Sequence, residues 1–455
     1  MKKLLLTFIL LFNFNLANAT TPAERAEEIK AFIENDFGGK GLPQLYLNYY
    51  KSNYLVGNLF KLALQAQHSP DESIKRFSNE ITKGFYGKIS YDDIKTSTDG
   101  EYGVVTITNF ISETTDKNIP DFVMQMQYPK VTIKARKDNY KISMGEEYIM
   151  ASNFNFMDMI RSGADIDDIE TEKRFINDTL TPFLIVKQDA DNSLDILLKD
   201  GKIIKETWQI NNSNIIDGKS GVSYATIDRL NYITSSSVND SNELSKFDMS
   251  MSGIKLGDSL KLITGATGKA DIIFKLRYDL DRASFDDMFE FLSQRISKGD
   301  AVVNPMAHVQ NNLDNTYAQI DAELNGTKYE TKTIENKEIL RAKAQKLKGK
   351  FFIDELTINT TDSGNAKLNW LVDLDGNSNI NQTGKLEVTN YRGFTDYLRK
   401  SFFAPQDEMD AVIAKLEQLS STKDGTLTYD VNIKNDDVDI NGLSAEEFDN
   451  AFDGI

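Results

Sequence analysis

The sequence predicts an α+β fold: a helical N-terminal segment followed by an extensive antiparallel, meandering sheet with short strand–helix units. Three observations carry this expectation. Apolar residues recur at helical spacing as far as Ala66. From Gly87 onward the apolar period drops from about 3.6 to about 2 residues. The strand-like stretches are joined by Asp-Gly and Asn-Gly turns, which suit antiparallel neighbours and not parallel crossovers.

Residues 1–19 read as a secretory signal peptide. Lys2 and Lys3 form a charged start, Leu4–Phe12 is an apolar run broken only by Thr7, and Ala17-Asn18-Ala19 is a small-x-small cleavage motif. The run is too short for a stable bilayer anchor, so the mature chain is expected to begin at Thr20. Residues 20–86 form the helical segment. Thr21-Pro22-Ala23-Glu24 combines a capping threonine, a proline in the first turn and a glutamate placed to complete a capping box. Ala26, Ile29, Phe32 and Ile33 follow at helical spacing until Gly38-Gly39. Leu59, Leu62, Ala63 and Ala66 mark the buried face of a further helix, and Pro70-Asp71-Glu72 opens another.

Residues 87–180 are expected to form a first antiparallel α+β region, and residues 181–455 a larger sheet region with interspersed helices. Ile89-Ser90-Tyr91 and Tyr102–Phe110 flank the hairpin signal Asp99-Gly100, while Phe122–Tyr128, Val131–Ala135 and Tyr140–Met144 read as separate strands. Leu194–Leu198 and Ile203–Ile210 flank Asp200-Gly201. Ile272–Tyr278, Phe352–Ile358, Lys367–Leu374 and Lys385–Val388 follow, with another turn signal at Asn325-Gly326. A Phe-x-Asp-apolar-apolar pattern occurs at Phe156–Ile160, Phe285–Phe289 and Phe394–Leu398. Each is expected to pin a short helix to the sheet through its phenylalanine, with Asp158, Asp287 and Asp396 in the first turn. Asp407–Leu419 reads as an amphipathic helix, and Leu427–Ile433 with Val438–Ile440 as a closing hairpin.

Composition excludes several chemistries. The 455 residues hold no cysteine and only two histidines, His68 and His308. Thiol nucleophiles and zinc–thiolate sites are therefore absent, and both histidines read as polar surface residues. Hydrophobic residues at 40% and charged residues at 27% give a globular balance. No later apolar segment reaches the ~18 residues of a membrane-spanning helix. The formal charge of −17 becomes −19 once Lys2 and Lys3 are removed, a field that disfavours nucleic acid and anionic lipid surfaces. Lys332, Lys337, Arg341, Lys343, Lys346, Lys348 and Lys350 run against this trend and read as the solvated face of a helix around Glu335–Lys348, with a docking patch for an acidic partner as the alternative.

No Gly-x-Ser-x-Gly elbow occurs, and Ser420-Ser421-Thr422-Lys423 lies at a helix end, where a Ser-x-x-Lys nucleophile does not belong. The one metal candidate is calcium. Asp189, Asp191, Ser193 and Asp195 offer oxygens at alternate positions with Asp200 twelfth in the run, although Leu194 stands where an EF-type loop needs glycine. Asp373–Asn379 reads as a polar hairpin turn. The 26 Phe and 18 Tyr read as sheet core, since sugar-stacking platforms would draw on more than Trp208 and Trp370. No catalytic and no cofactor-binding residue is assigned.

A long chain of antiparallel strands with interspersed strand–helix units, closing in Leu427–Leu443 with its Val438-Asp439-Ile440-Asn441-Gly442-Leu443 ending, resembles the YdgA-like family of bacterial envelope proteins. The resemblance implies a periplasmic setting and carries over no catalytic residues. The expected function is that of an exported, non-enzymatic envelope protein binding an envelope partner or a lipophilic ligand on its large sheet. A carboxylate-dependent hydrolase of an envelope polymer and an exported adhesin or host-facing factor are the alternatives, the latter secreted and not periplasmic.

Overall fold

Thr21 and Glu24 open the first helix as their residue types require. The Glu24 amide donates to the Thr21 hydroxyl at 3.2 Å, and the Thr21 amide to the Glu24 carboxylate at 3.0 Å, a complete capping box. The helix, α1 (Pro22–Asn35), buries Ala26, Ile29, Phe32 and Ile33. The computed structural model describes residues 21–35, 54–70, 75, 87–115, 119, 121–155, 159, 162, 169–199, 202–238, 241–258, 268–298, 343, 346–361, 364–377, 380–391, 393, 406–421, 425–434 and 437–451. Over these residues the chain is α+β and mainly β. After α1 come α2 (Tyr54–Ala66), β1 (Gly87–Ser90), β2 (Asp93–Asp99), β3 (Tyr102–Thr115), β4 (Val123–Arg136), β5 (Asn139–Ser143) and β6 (Glu147–Phe154). Then follow α3 (Ile169–Arg174), β7 (Ile176–Lys187), β8 (Ser193–Lys199), β9 (Lys202–Asp217), β10 (Ser223–Val238), β11 (Asn242–Leu256), β12 (Lys269–Asp281) and α4 (Arg282–Lys298). The chain continues with β13 (Lys348–Thr360), β14 (Gly364–Asp375), β15 (Ile380–Thr389), α5 (Gln406–Leu419), β16 (Thr426–Lys434), β17 (Asp437–Ile440), β18 (Leu443–Ser444) and α6 (Ala445–Asn450).

Among the described residues, all strands belong to one 18-stranded sheet. β2 and β1 lie end to end along β3, which pairs with β4. Between the long strands β4 and β9, two files are each filled by two short strands. β5 and β8 pair over one half, β6 and β7 over the other, and β7 and β8 both meet β9. From β9 to β18 every strand pairs antiparallel with its sequence neighbours, a pure meander. β7 crosses position 180 and is hydrogen-bonded on both sides, so strands from before and after that position share the sheet.

Several local expectations change in the structure. Phe122–Tyr128 and Val131–Ala135 are one strand, β4, running through Pro129. Pro129 has no N–H to give, and it sits opposite Asn109, whose φ of 51° turns that residue out of the ladder. β2, β6, β7, β10 and β11 are additions to the sequence-based picture. In β10 and β11 the positions facing the apolar side include Thr234, Ser236, Glu243 and Ser245, which cuts the period-2 signal of β11 down to Phe247, Met249 and Met251. Leu59 is 51% exposed, although Leu62, Ala63 and Ala66 on the same helix are buried. Lys348 begins β13 and ends no helix.

Of the three repeated segments, only Phe285–Phe289 lies wholly within the described residues. It sits inside α4 with Phe285, Met288 and Phe289 buried as expected. Asp287, however, is past the first turn and binds Lys343 at 2.7 Å. The cap is Asp281, whose Oδ1 accepts the Ser284 amide at 3.0 Å. Phe156, Asp158 and Phe394–Leu398 fall outside the described residues, as do residues 1–20, Asn325-Gly326 and His308.

Helix α1 sits directly on Gly103 of β3. A Cβ at that position would meet the Pro22 carbonyl oxygen and would lie 2.8 Å from the Ala26 nitrogen. Gly103→Ala is therefore expected to lower stability by about 1–3 kcal/mol through overpacking against backbone that cannot yield. Urea unfolding of the variant checks this; an unchanged midpoint would show that α1 does not rest there.

Candidate functional site

Because side chains alternate across each strand, the registers decide what each face of the sheet presents. One file of cross-strand partners runs Val105, Ile133, Ile142, Leu194, Trp208, Tyr232, Met249, Phe274, Leu356, Leu368, Leu386 and Tyr429. A parallel file runs Ile210, Leu230, Met251, Ile272, Ile358, Ala366, Val388 and Leu427. The result is an apolar ribbon across nearly the whole width of the sheet.

Its two ends are closed. At one end Val105, Ile133, Ile142 and Leu194 are fully buried in a cluster with Ala26, Ile29, Phe32 and Ile33 of α1. At the other, Leu386, Val388, Leu427 and Tyr429 pack with Leu416 and Leu419 of α5 and Phe448 of α6. Between them Met249, Phe274, Leu356, Leu368 and Trp370 are only half-buried. Tyr232, Phe247 and Phe274 form an edge-to-face series there, with ring centroids 5.1 and 5.5 Å apart. The Trp370 ring lies over Gly384, where a Cβ would collide with it, and its Nε1 donates to Gln382 at 3.2 Å.

A polar band interrupts this face on β9–β12. Thr234 Oγ1 donates to Glu206 at 3.2 Å, Ser236 and Ser245 share a 2.8 Å hydroxyl contact, and Ser245 Oγ donates to Glu243 at 3.2 Å. Glu243 has no exposed surface. It also accepts the amides of Tyr54 and Leu55 at 3.1 and 3.0 Å and the Tyr278 hydroxyl at 3.2 Å. Burial pushes its carboxyl above the ordinary range, against the opposing pull of these donors. The two amide bonds hold the first turn of α2 on the sheet, and the two hydroxyl bonds tie Glu243 to β11 and β12. Beside it, burial and the hydrogen bond to Asp286 raise the Tyr54 hydroxyl. Burial, followed by the charge of Glu206, raises that of Tyr232.

The opposite, polar face carries a groove of ≈ 600 Å³ over β13–β16. Its side chains come in two files: Phe352, Leu371, Thr383 and Asn432 are register partners, and so are Asn369, Lys385 and Asp430. Asp354 joins the second file because it is an extra residue in β13, bulged out where the register slips against both neighbouring strands. The bulge turns Asp354 onto Arg277, whose Nε donates to both carboxylate oxygens at 3.0 and 2.8 Å while the guanidinium covers the Phe352 ring at 3.4 Å. Asn369 Nδ2 donates to the Asp354 carbonyl. Nothing in local sequence marks this bulge, so the groove was invisible before the registers were known.

The calcium candidates fall at the β7–β8 turn. The Asp189 carboxylate accepts Asn212 Nδ2 at 2.7 Å, Asp191 is exposed, and Ser193 Oγ donates to Asp195 at 3.3 Å. Asp200 lies outside the described residues. Among the described residues no three His, Cys, Asp or Glu side chains cluster as a metal site would require. Of the Asp373–Asn379 segment, Asp373–Asp375 end β14 and the Asn377 amide donates to Asp375 at 2.7 Å, while Ser378 and Asn379 lie outside the described residues. Ser420 closes α5, its hydroxyl on the Glu417 carbonyl at 3.0 Å. His68 is exposed. No protein-family model and no curated protein matches the chain.

Proposed function

We propose that this chain is an exported envelope protein that binds an apolar ligand along the uncovered middle of its apolar ribbon. One observation supports the reading above all: Met249, Phe274, Leu356, Leu368 and Trp370 continue a fully buried ribbon, yet remain half-buried themselves. Half-buried apolar surface beside the packed clusters is stabilised by whatever apolar group covers it further, at about 25 cal/mol per Å² removed from water. An acyl chain suits such a file, gaining about 0.8 kcal/mol per buried CH₂ group. Methionine at 249 and 251 adapts to chains of differing shape. The signal-like residues 1–19 and the resemblance of Leu427–Leu443 to the YdgA-like family support the envelope setting.

The test is native mass spectrometry of protein purified from its own periplasm, joined to a palmitate titration read by Trp370 fluorescence. A co-purifying lipid-sized mass and a saturable blue shift are expected, with Leu368→Lys abolishing both. Finding neither a bound molecule nor a saturable shift would overturn the reading.

A further inference from the structure

We propose that the polar-face groove over β13–β16 is a second binding site, for a short neutral oligosaccharide. The site is independent of the apolar ribbon, from which it is separated by the thickness of the sheet. The groove crosses four adjacent strands at about 4.8 Å spacing, which gives it a width of about 14 Å. Its volume of ≈ 600 Å³ lies well within the range of small-molecule sites.

The chemistry of the lining selects the ligand class. Asn369, Thr383 and Asn432 bring neutral amide and hydroxyl groups, each offering both donors and acceptors, as hydroxyl-rich ligands require. Leu371 and the edge of Phe352, whose ring face Arg277 covers, supply an apolar patch at one side of the groove. The charges largely cancel. Asp354 is paired with Arg277, and Lys385 is held by Glu387 at 2.6 Å with Asp430 beside it. Two cations thus face three carboxylates, which disfavours phosphate, sulfate or carboxylate ligands. The bulge at Asp354 fixes the rim. Recognition of this kind rests on placed hydrogen-bonding groups and needs no stacked indole.

The experiment titrates the full chain with maltotriose, cellotriose and chitotriose by calorimetry, with saturation-transfer NMR as a second readout. At least one of them is expected to bind saturably. The double variant Thr383→Ala/Asn432→Ala, which removes two exposed side chains, should weaken it about tenfold or more while leaving the unfolding midpoint unchanged. Leu368→Lys, on the other face, should leave glycan binding intact, so that failure of this site and failure of the apolar reading are told apart. The proposal is overturned if none of the three binds, if the double variant binds as tightly as the parent, or if a sulfated analogue binds more tightly.

Discussion

Replacing Glu243 with alanine is expected to lower the unfolding free energy by about 2–4 kcal/mol, because the substitution strands four donors at once. Two are the opening amides of α2, one is the Tyr278 hydroxyl and one the Ser245 hydroxyl. Glu243→Gln keeps one acceptor oxygen, enough for the Tyr54 or the Leu55 amide but not both, and should cost less than alanine. The pH dependence separates the two ideas of what this residue does. Its folded pKa is raised above the ordinary 4.5, so the folded state holds the proton after the unfolded chain has released it. Stability from this group is therefore intact below 4.5 and declines as pH rises through the folded value. Carboxylates held low, such as Asp217 and Glu355, contribute in the opposite direction. The informative quantity is thus the difference between Glu243→Gln and the parent, which should move in favour of the variant as pH rises. Parallel stability curves would show that Glu243 is ionised at no cost in the folded chain.

Phe285→Ala is expected to cost about 3–5 kcal/mol, the usual range for truncating a buried aromatic. Phe285 is 6% exposed, and its ring lies 6.3 Å from Phe289 and 6.4 Å from Phe351, so its loss opens a cavity between α4 and β13. The flanking aspartates rank differently from what their spacing suggests. Asp281→Ala removes the cap and should cost about 0.5–2 kcal/mol. Asp287→Ala removes one exposed ion pair with Lys343 and should change stability by at most about 1 kcal/mol. Chemical denaturation of the three variants gives the ranking, and equal costs for Asp281 and Asp287 would contradict the placement of the cap.

Much of the secondary structure was legible before any coordinates. The capping box at Thr21 and Glu24, the Asp99-Gly100 hairpin, the helix ending at Leu419 and the closing hairpin through Val431 and Ile440 all lie where local patterns put them. Each depends on interactions within a few residues, or on a period that one face of water and one of core imposes. The groove was not legible, since Phe352, Asn369, Lys385 and Asp430 come from four strands and converge only through registers that a bulge at Asp354 shifts.

By itself, then, the amino-acid sequence determined the α+β class, the antiparallel connections and the absence of thiol and histidine-cluster chemistry, because composition and near-neighbour spacing suffice for these. Only the tertiary structure decided which strands form the β4-to-β9 junction, that strands β10 and β11 join the ribbon, and where its described residues are only half-buried. Those outcomes depend on pairings between residues far apart in the chain. A single-residue slip in such a pairing moves every side chain of a strand from one face of the sheet to the other.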